Sequence, residues 1–263
     1  MTGARPKHYG WGREGEGMSA EERKFVLGRY RTKFATDEFD TIVVPSLDDI
    51  SLREPRVAPP ASLTPFCTTD RYDRAAHTYG KSYPDYVRAM LGDYNCAPDV
   101  VAYPRNEAEI SAVMDWASSV GASLTPFGGG SSVCGGVEPR VDGIKHRAAV
   151  TLDLRNLSKV IEVDPVSRAA SIEAGTYGPS LENQLKPHGF TLRHFPQSFE
   201  FSTLGGWIQS SYPYRRFRRK PARRDARWRG GDAPTSRIGC RDLRMRSARG
   251  HRWDALQGRW MDD

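Results

Sequence analysis

The stretch that most restricts the fold is Pro126-Phe127-Gly128-Gly129-Gly130-Ser131-Ser132-Val133-Cys134-Gly135-Gly136. Consecutive glycines can take positive φ and turn successive backbone N–H groups toward one point. Such a concave row of donors binds anions, and serine hydroxyls add further bonds, so a diphosphate is its natural guest. A tight turn without any ligand makes the same pattern, so the surroundings matter. A Rossmann-type loop needs a helix directly after its glycines. Here Val133-Cys134-Gly135-Gly136 follows instead, which argues against a doubly wound nucleotide fold.

The flanking segments read as α+β. Val100-Val101-Ala102-Tyr103 is a short apolar run stopped by Pro104, and so a strand. Asn106 and Glu109 form a capping-box pattern opening a helix. Along that helix Ile110, Val113, Met114, Ala117 and Val120 recur at helical spacing, and Gly121 closes it. Strands are expected near 148–154, 158–163 and 168–174, the last from the alternation of Ala170, Ile172 and Ala174. A further helix is expected from Gly178 to about His188, closed by Gly189. Before this region, Ser19 and Glu22 predict a helix through about Phe34. Residues 36–66 read as extended linker, and a short helix covers Tyr83 to Leu91.

Charge separates the last fifth of the chain from the rest. The net charge is +7, but residues 213–263 hold fifteen Arg and one Lys against six Asp, a balance of +10, which leaves −3 for residues 1–212. The body is therefore mildly acidic, and the basic segment has no recognisable nucleic-acid module. No specific nucleic-acid partner is expected. No run approaches the ~18–20 apolar residues of a membrane span, and residues 1–17 show no apolar signal core. The four cysteines, Cys67, Cys96, Cys134 and Cys240, lie far apart without a C-x-x-C pair. That spacing suits reduced thiols of a cytoplasmic protein better than a disulfide frame or a metal site.

A second informative stretch is Gln197-Ser198-Phe199-Glu200-Phe201-Ser202-Thr203-Leu204-Gly205-Gly206-Trp207. Hydroxyls, an amide and two glycines packed between aromatics suit a polar ligand sealed by an apolar wall. A polar loop entering a buried helix reads the same way. Taken together, the two stretches resemble the signatures of the vanillyl-alcohol-oxidase (p-cresol-methylhydroxylase) type of FAD fold. Within it they are most similar to the alkyldihydroxyacetonephosphate synthase family. Lys7-His8-Tyr9-Gly10-Trp11-Gly12, His77-Thr78-Tyr79-Gly80-Lys81-Ser82, Pro98-Asp99-Val100, Leu152-Asp153-Leu154 and Glu173-Ala174-Gly175-Thr176-Tyr177-Gly178 carry the same resemblance, over about residues 5–208.

The resemblance implies an FAD-binding domain of that type, of which this chain holds the first part at residues 96–212. Residues 1–95 are then an N-terminal extension with helices. Pro126, Phe127, Gly128, Gly129, Gly130, Ser131 and Ser132 would hold the FAD diphosphate. Gln197, Ser198, Phe199, Glu200, Phe201, Ser202 and Thr203 would line the cofactor further along, with Gly205 and Gly206 letting the backbone approach it. Some relatives attach flavin through a His after the glycines. Ser131 and Ser132 stand there in this chain, so the FAD is expected to be non-covalent. The family replaces the acyl group of an acyl-dihydroxyacetone phosphate by a long-chain alcohol, without net redox change. Its catalytic residues lie in a cap domain, so none is assigned here and no metal is expected. His77 and His194 are acid–base candidates by residue type alone. A 2-hydroxy-acid dehydrogenase with a small 2-hydroxy-acid substrate, and a non-catalytic flavin- or polyanion-binding remnant, are the alternatives. Residues 213–263 depart from the family's pattern. Their arginine density is what a GC-rich gene yields out of frame, so a frameshift near Gln209–Tyr214, a disordered tail and a fragment without turnover are the expectations.

Overall fold

A computed structural model describes residues 5–39, 43–141, 143, 145–210 and 246–247. The expectations for residues 213–263 therefore lie outside the described residues, apart from Arg246–Ser247. The described residues form two compact units. One draws on Met1–Ala102 and Ala112–Leu152, the other on Tyr103–Ser111 and Asp153–Asp263.

The first unit is built on a four-stranded sheet in the order β1-β2-β4-β3, from β1 (Cys67–Thr68), β2 (Val100–Ala102), β3 (Ala122–Phe127) and β4 (Ala148–Asp153). Every residue of β2 and β4 is buried. The two run parallel, with Val100 opposite Val150 and Ala102 opposite Leu152. A near-continuous apolar strand is what a parallel sheet covered on both faces requires. β1 pairs antiparallel with the other edge of β2.

Three helices precede β2 in the chain, the first of them ahead of β1 as well. The first, α1 (Ala20–Phe34), opens with the capping box expected at Ser19 and Glu22, each side chain satisfying the other's backbone N–H. It buries none of its residues. Next comes α2 (Arg71–Ala76), capped by Asp70, and then α3 (Tyr83–Met90), which opens with a reciprocal box between Ser82 and Asp85. α2 was not expected from the sequence, because six residues are too few to show an apolar period. Ile50, Leu52, Ala75, Tyr79, Ala89, Tyr94 and Ala97 make one core cluster. The stretch expected as linker thus delivers Ile50 and Leu52 into that core.

α4 (Glu107–Ser119) is the helix expected between β2 and the glycine loop. Its box is half formed. The Glu109 N–H reaches Asn106 Oδ1 at 2.9 Å, but the Glu109 carboxylate turns to the Arg105 N–H at 2.7 Å and to its guanidinium. Arginine offers three donors there, which outcompetes one backbone N–H. Gly121 ends the helix at φ +65°, a conformation costly to other residues.

The second unit holds an antiparallel pair, β5 (Val160–Asp164) with β6 (Ala169–Ile172). Its turn is drawn in by Asp164, whose carboxylate accepts from the Val166 N–H at 2.9 Å and the Ser167 hydroxyl at 2.5 Å. α5 (Gly178–Leu185) continues as a 3₁₀ turn over Lys186–His188, stopped by Gly189 at φ +74°. β7 (Phe190–Thr191) pairs antiparallel with β8 (Arg246–Ser247). α6 (Leu204–Ser210) completes the unit. Its core is Ala170, Ile172, Leu181, Leu185, Leu192, Leu204 and Trp207. β1, β7 and β8 are two-residue strands, too short to signal themselves by alternation.

Candidate functional site

The glycine loop leaves the end of β3 in the first unit. Phe127 is buried, and its ring lies beneath Gly130, where an added Cβ would sit 2.6 Å from the ring tip. Gly130 also takes φ +68°. Both observations demand glycine there. Among the described residues, the backbone N–H groups of Gly129, Gly130 and Ser131 have no hydrogen-bond acceptor. The loop then folds on Ser132, whose hydroxyl oxygen accepts from the Gly136 N–H at 3.0 Å and the Cys134 N–H at 3.4 Å. That hydroxyl also lies 3.6 Å from Cys134 Sγ, where either group can donate, and with the thiol donating the hydroxyl proton is left for a ligand. A groove of about 660 Å³ runs beside the loop, with Thr125, Pro126, Cys134, Gly135 and Arg140 among its walls.

His77 is 2% exposed and packs its ring 4.4 Å from that of Phe127. Its Nδ1 lies 2.6 Å from the Asp73 carbonyl oxygen, so Nδ1 carries a proton. This is a packing and hydrogen-bonding role. Cys67, Cys96 and Cys134 are not joined by a disulfide. Among the described residues no cluster of His, Cys, Asp and Glu is arranged to hold a metal ion, and no helix is long and apolar enough to cross a membrane.

The second stretch lies in the second unit. Ser198 precedes a 3₁₀ turn over Phe199–Phe201, and Leu204 opens α6. The Ser202 hydroxyl donates to the Ser198 carbonyl at 2.7 Å and accepts from the Trp207 indole N–H at 2.6 Å. Ser202 and Thr203 are buried. Phe199 lies 6.1 Å from Trp207 in a stacked arrangement, and His194 meets the Trp207 ring edge-on at 5.0 Å. Gln197, Glu200 and Gly206 are exposed, and Phe201 and Gly205 are half-buried. Gly205 packs its backbone on Ala174, where a Cβ would stand 2.9 Å from the Ala174 carbonyl oxygen. Leu204 and Gly205 donate their N–H groups to the carbonyls of Thr176 and Ala174. The segment Glu173–Gly178 therefore sets the path of this loop, through Gly178 as well, whose Cα faces the Phe199 ring. The motif there was readable, but its job of holding the second loop was not.

The free N–H row, the glycine that only glycine can be, and the adjoining groove fit a diphosphate-bearing cofactor. Residues 98–220 match the family of FAD binding domains. That stretch thus has the fold of an FAD-binding domain, with FAD as the cofactor the match supports. In particular, the chain resembles alkyldihydroxyacetonephosphate synthase. It is 40% identical to that enzyme from Dictyostelium discoideum over 139 residues, which cover 53% of this chain and 22% of the relative. It is 37% identical to the Trypanosoma brucei brucei enzyme over the same length and shares. A solved alkyldihydroxyacetonephosphate synthase structure superimposes with a TM-score of 0.66 at 30% identity, covering 77% of this chain and 42% of that one. The chain spans under a quarter of the length of these curated relatives.

Proposed function

We propose that this chain binds FAD without a covalent link, as the flavin domain of an enzyme forming alkyldihydroxyacetone phosphate. The observation that carries it is the row of unengaged N–H groups at Gly129, Gly130 and Ser131, inside the segment that matches FAD binding domains. In this reading the three N–H groups and the Ser132 hydroxyl proton orient the diphosphate, while Pro126, Phe127 and Gly128 fix where the loop starts. Gln197 to Thr203 line the cofactor further along, with Gln197 and Glu200 as exposed polar groups and Gly205 and Gly206 thinning the backbone. Bound FAD supplies an electron-accepting ring system, and the lipid-like substrate is that of the synthases. Ser131 and Ser132 offer no imidazole for attachment, which supports a dissociable cofactor. The widely spaced cysteines support a cytoplasmic setting. The arginine-dense composition of residues 213–263 supports an out-of-frame origin, tested by reading the locus in all three frames.

Titrating the purified chain with FAD tests the reading directly. Flavin fluorescence should be quenched to a one-to-one endpoint, acid precipitation should release the flavin into the supernatant, and Gly130→Val should abolish the quench. A folded chain that ignores FAD would overturn the proposal. Flavin that stays with the precipitate would overturn its non-covalent part.

A further inference from the structure

The FAD binding domain match begins at residue 98, yet the glycine loop is braced by residues that come earlier in the chain. Three contacts reach it, one near each end and one at its middle. His77 sets its ring 4.4 Å from Phe127, the residue on which Gly130 rests. Gly80 lies so close to Ser132 that an added Cβ would be 2.1 Å from the Ser132 carbonyl oxygen, and the Lys81 N–H donates to that same oxygen at 2.7 Å. Arg88 grips Glu138 with two parallel bonds of 3.1 and 3.0 Å, just past the last glycine.

The brace is itself held firmly. The Thr78 hydroxyl donates to the Arg74 carbonyl at 2.9 Å, and the Tyr79 hydroxyl to the Asp93 carbonyl at 2.6 Å. Ser82 caps α3 through Asp85, and the Arg88 guanidinium lies 4.2 Å above the Tyr79 ring. A loop of consecutive glycines has the largest conformational entropy to lose, so its shape must be imposed from outside. Polar contacts at fixed distances on a packed scaffold do that.

We propose that residues 77–88 are part of the cofactor site, as positioning residues that hold the glycine loop in its anion-binding shape. The idea rests on the FAD reading above, and its test separates the two. In the full chain, Gly80→Ala and His77→Ala should each speed amide exchange across residues 128–136 and weaken FAD binding about tenfold or more. His77→Phe keeps a ring against Phe127 and should restore both readouts. Phe25→Ala, on exposed α1, should change neither. Wild-type exchange at 128–136 in folded Gly80→Ala and His77→Ala overturns the brace. So does faster exchange with unchanged FAD affinity. If Gly80→Ala fails to fold, the His77 pair decides. A parent chain that binds no FAD sinks the cofactor reading, while the exchange comparison still judges the brace.

Discussion

Asp99 has no solvent-exposed side chain, yet it carries charge. Burial alone would raise its carboxyl, but hydrogen bonds from the side chains of Arg56 and Arg53 and the N–H groups of Arg56 and Ala149 hold it at about 2. The Ala149 bond is 2.7 Å and the Arg56 guanidinium bond 2.8 Å. Because the folded value lies below the ordinary 3.8, the stabilisation is fully present above that pH and is lost as pH falls toward 2. Asp99→Asn should cost about 3 kcal/mol in urea denaturation at pH 7, since it leaves two guanidinium groups facing a neutral amide. The gap between variant and parent should close as the same experiment is moved from pH 5 to pH 2. Pro98-Asp99 was visible in the sequence as part of a motif, but its partners at Arg53 and Arg56 were not. Nothing local links residues 43 or more positions apart, and only the packing of that segment against β2 and β4 creates the bond.

At the scale of elements, capping and close approach decide what a substitution does. α1 has a complete capping box but no buried residue, so its stability is its own. Ser19→Ala should remove about 1 kcal/mol from the helix. Amide exchange in its first turn should then accelerate while the main thermal transition stays in place. Gly175 behaves in the opposite way. An added Cβ would stand 1.8 Å from the Leu154 carbonyl oxygen, and the Gly175 N–H is bonded to Leu157. Gly175→Ala must push backbone apart and should cost about 1–3 kcal/mol, read as a lower melting temperature of the whole second unit. α1, α3, α4 and α5 were expected from the sequence: α1 from its capping box, α4 from its cap and apolar spacing, and α5 from the glycine that closes it. α2 was not, because six residues cannot display a period, while α6 is the buried helix offered as the alternative reading of the second stretch.

For the whole molecule, ligand binding is the largest accessible shift in stability. Added at about a hundred times its dissociation constant, FAD should stabilise the folded chain by about 2.7 kcal/mol, visible as a concentration-dependent rise in melting temperature. A flat melting temperature across the titration would contradict the assignment. The sequence by itself determined the α+β class, the strand–helix–strand run into the glycine loop, and the run of glycines on which the proposed diphosphate site rests. These follow from local rules: glycine's positive φ, the helical period and the caps. Only the tertiary structure decided that Ser132 spends its oxygen on the loop's own N–H groups, that Ser202 is tied between Ser198 and Trp207, and that His77 and Gly80 stand behind the glycines. Such contacts depend on which distant atoms meet at a few ångströms, and that is settled by packing rather than by any property of neighbouring residues.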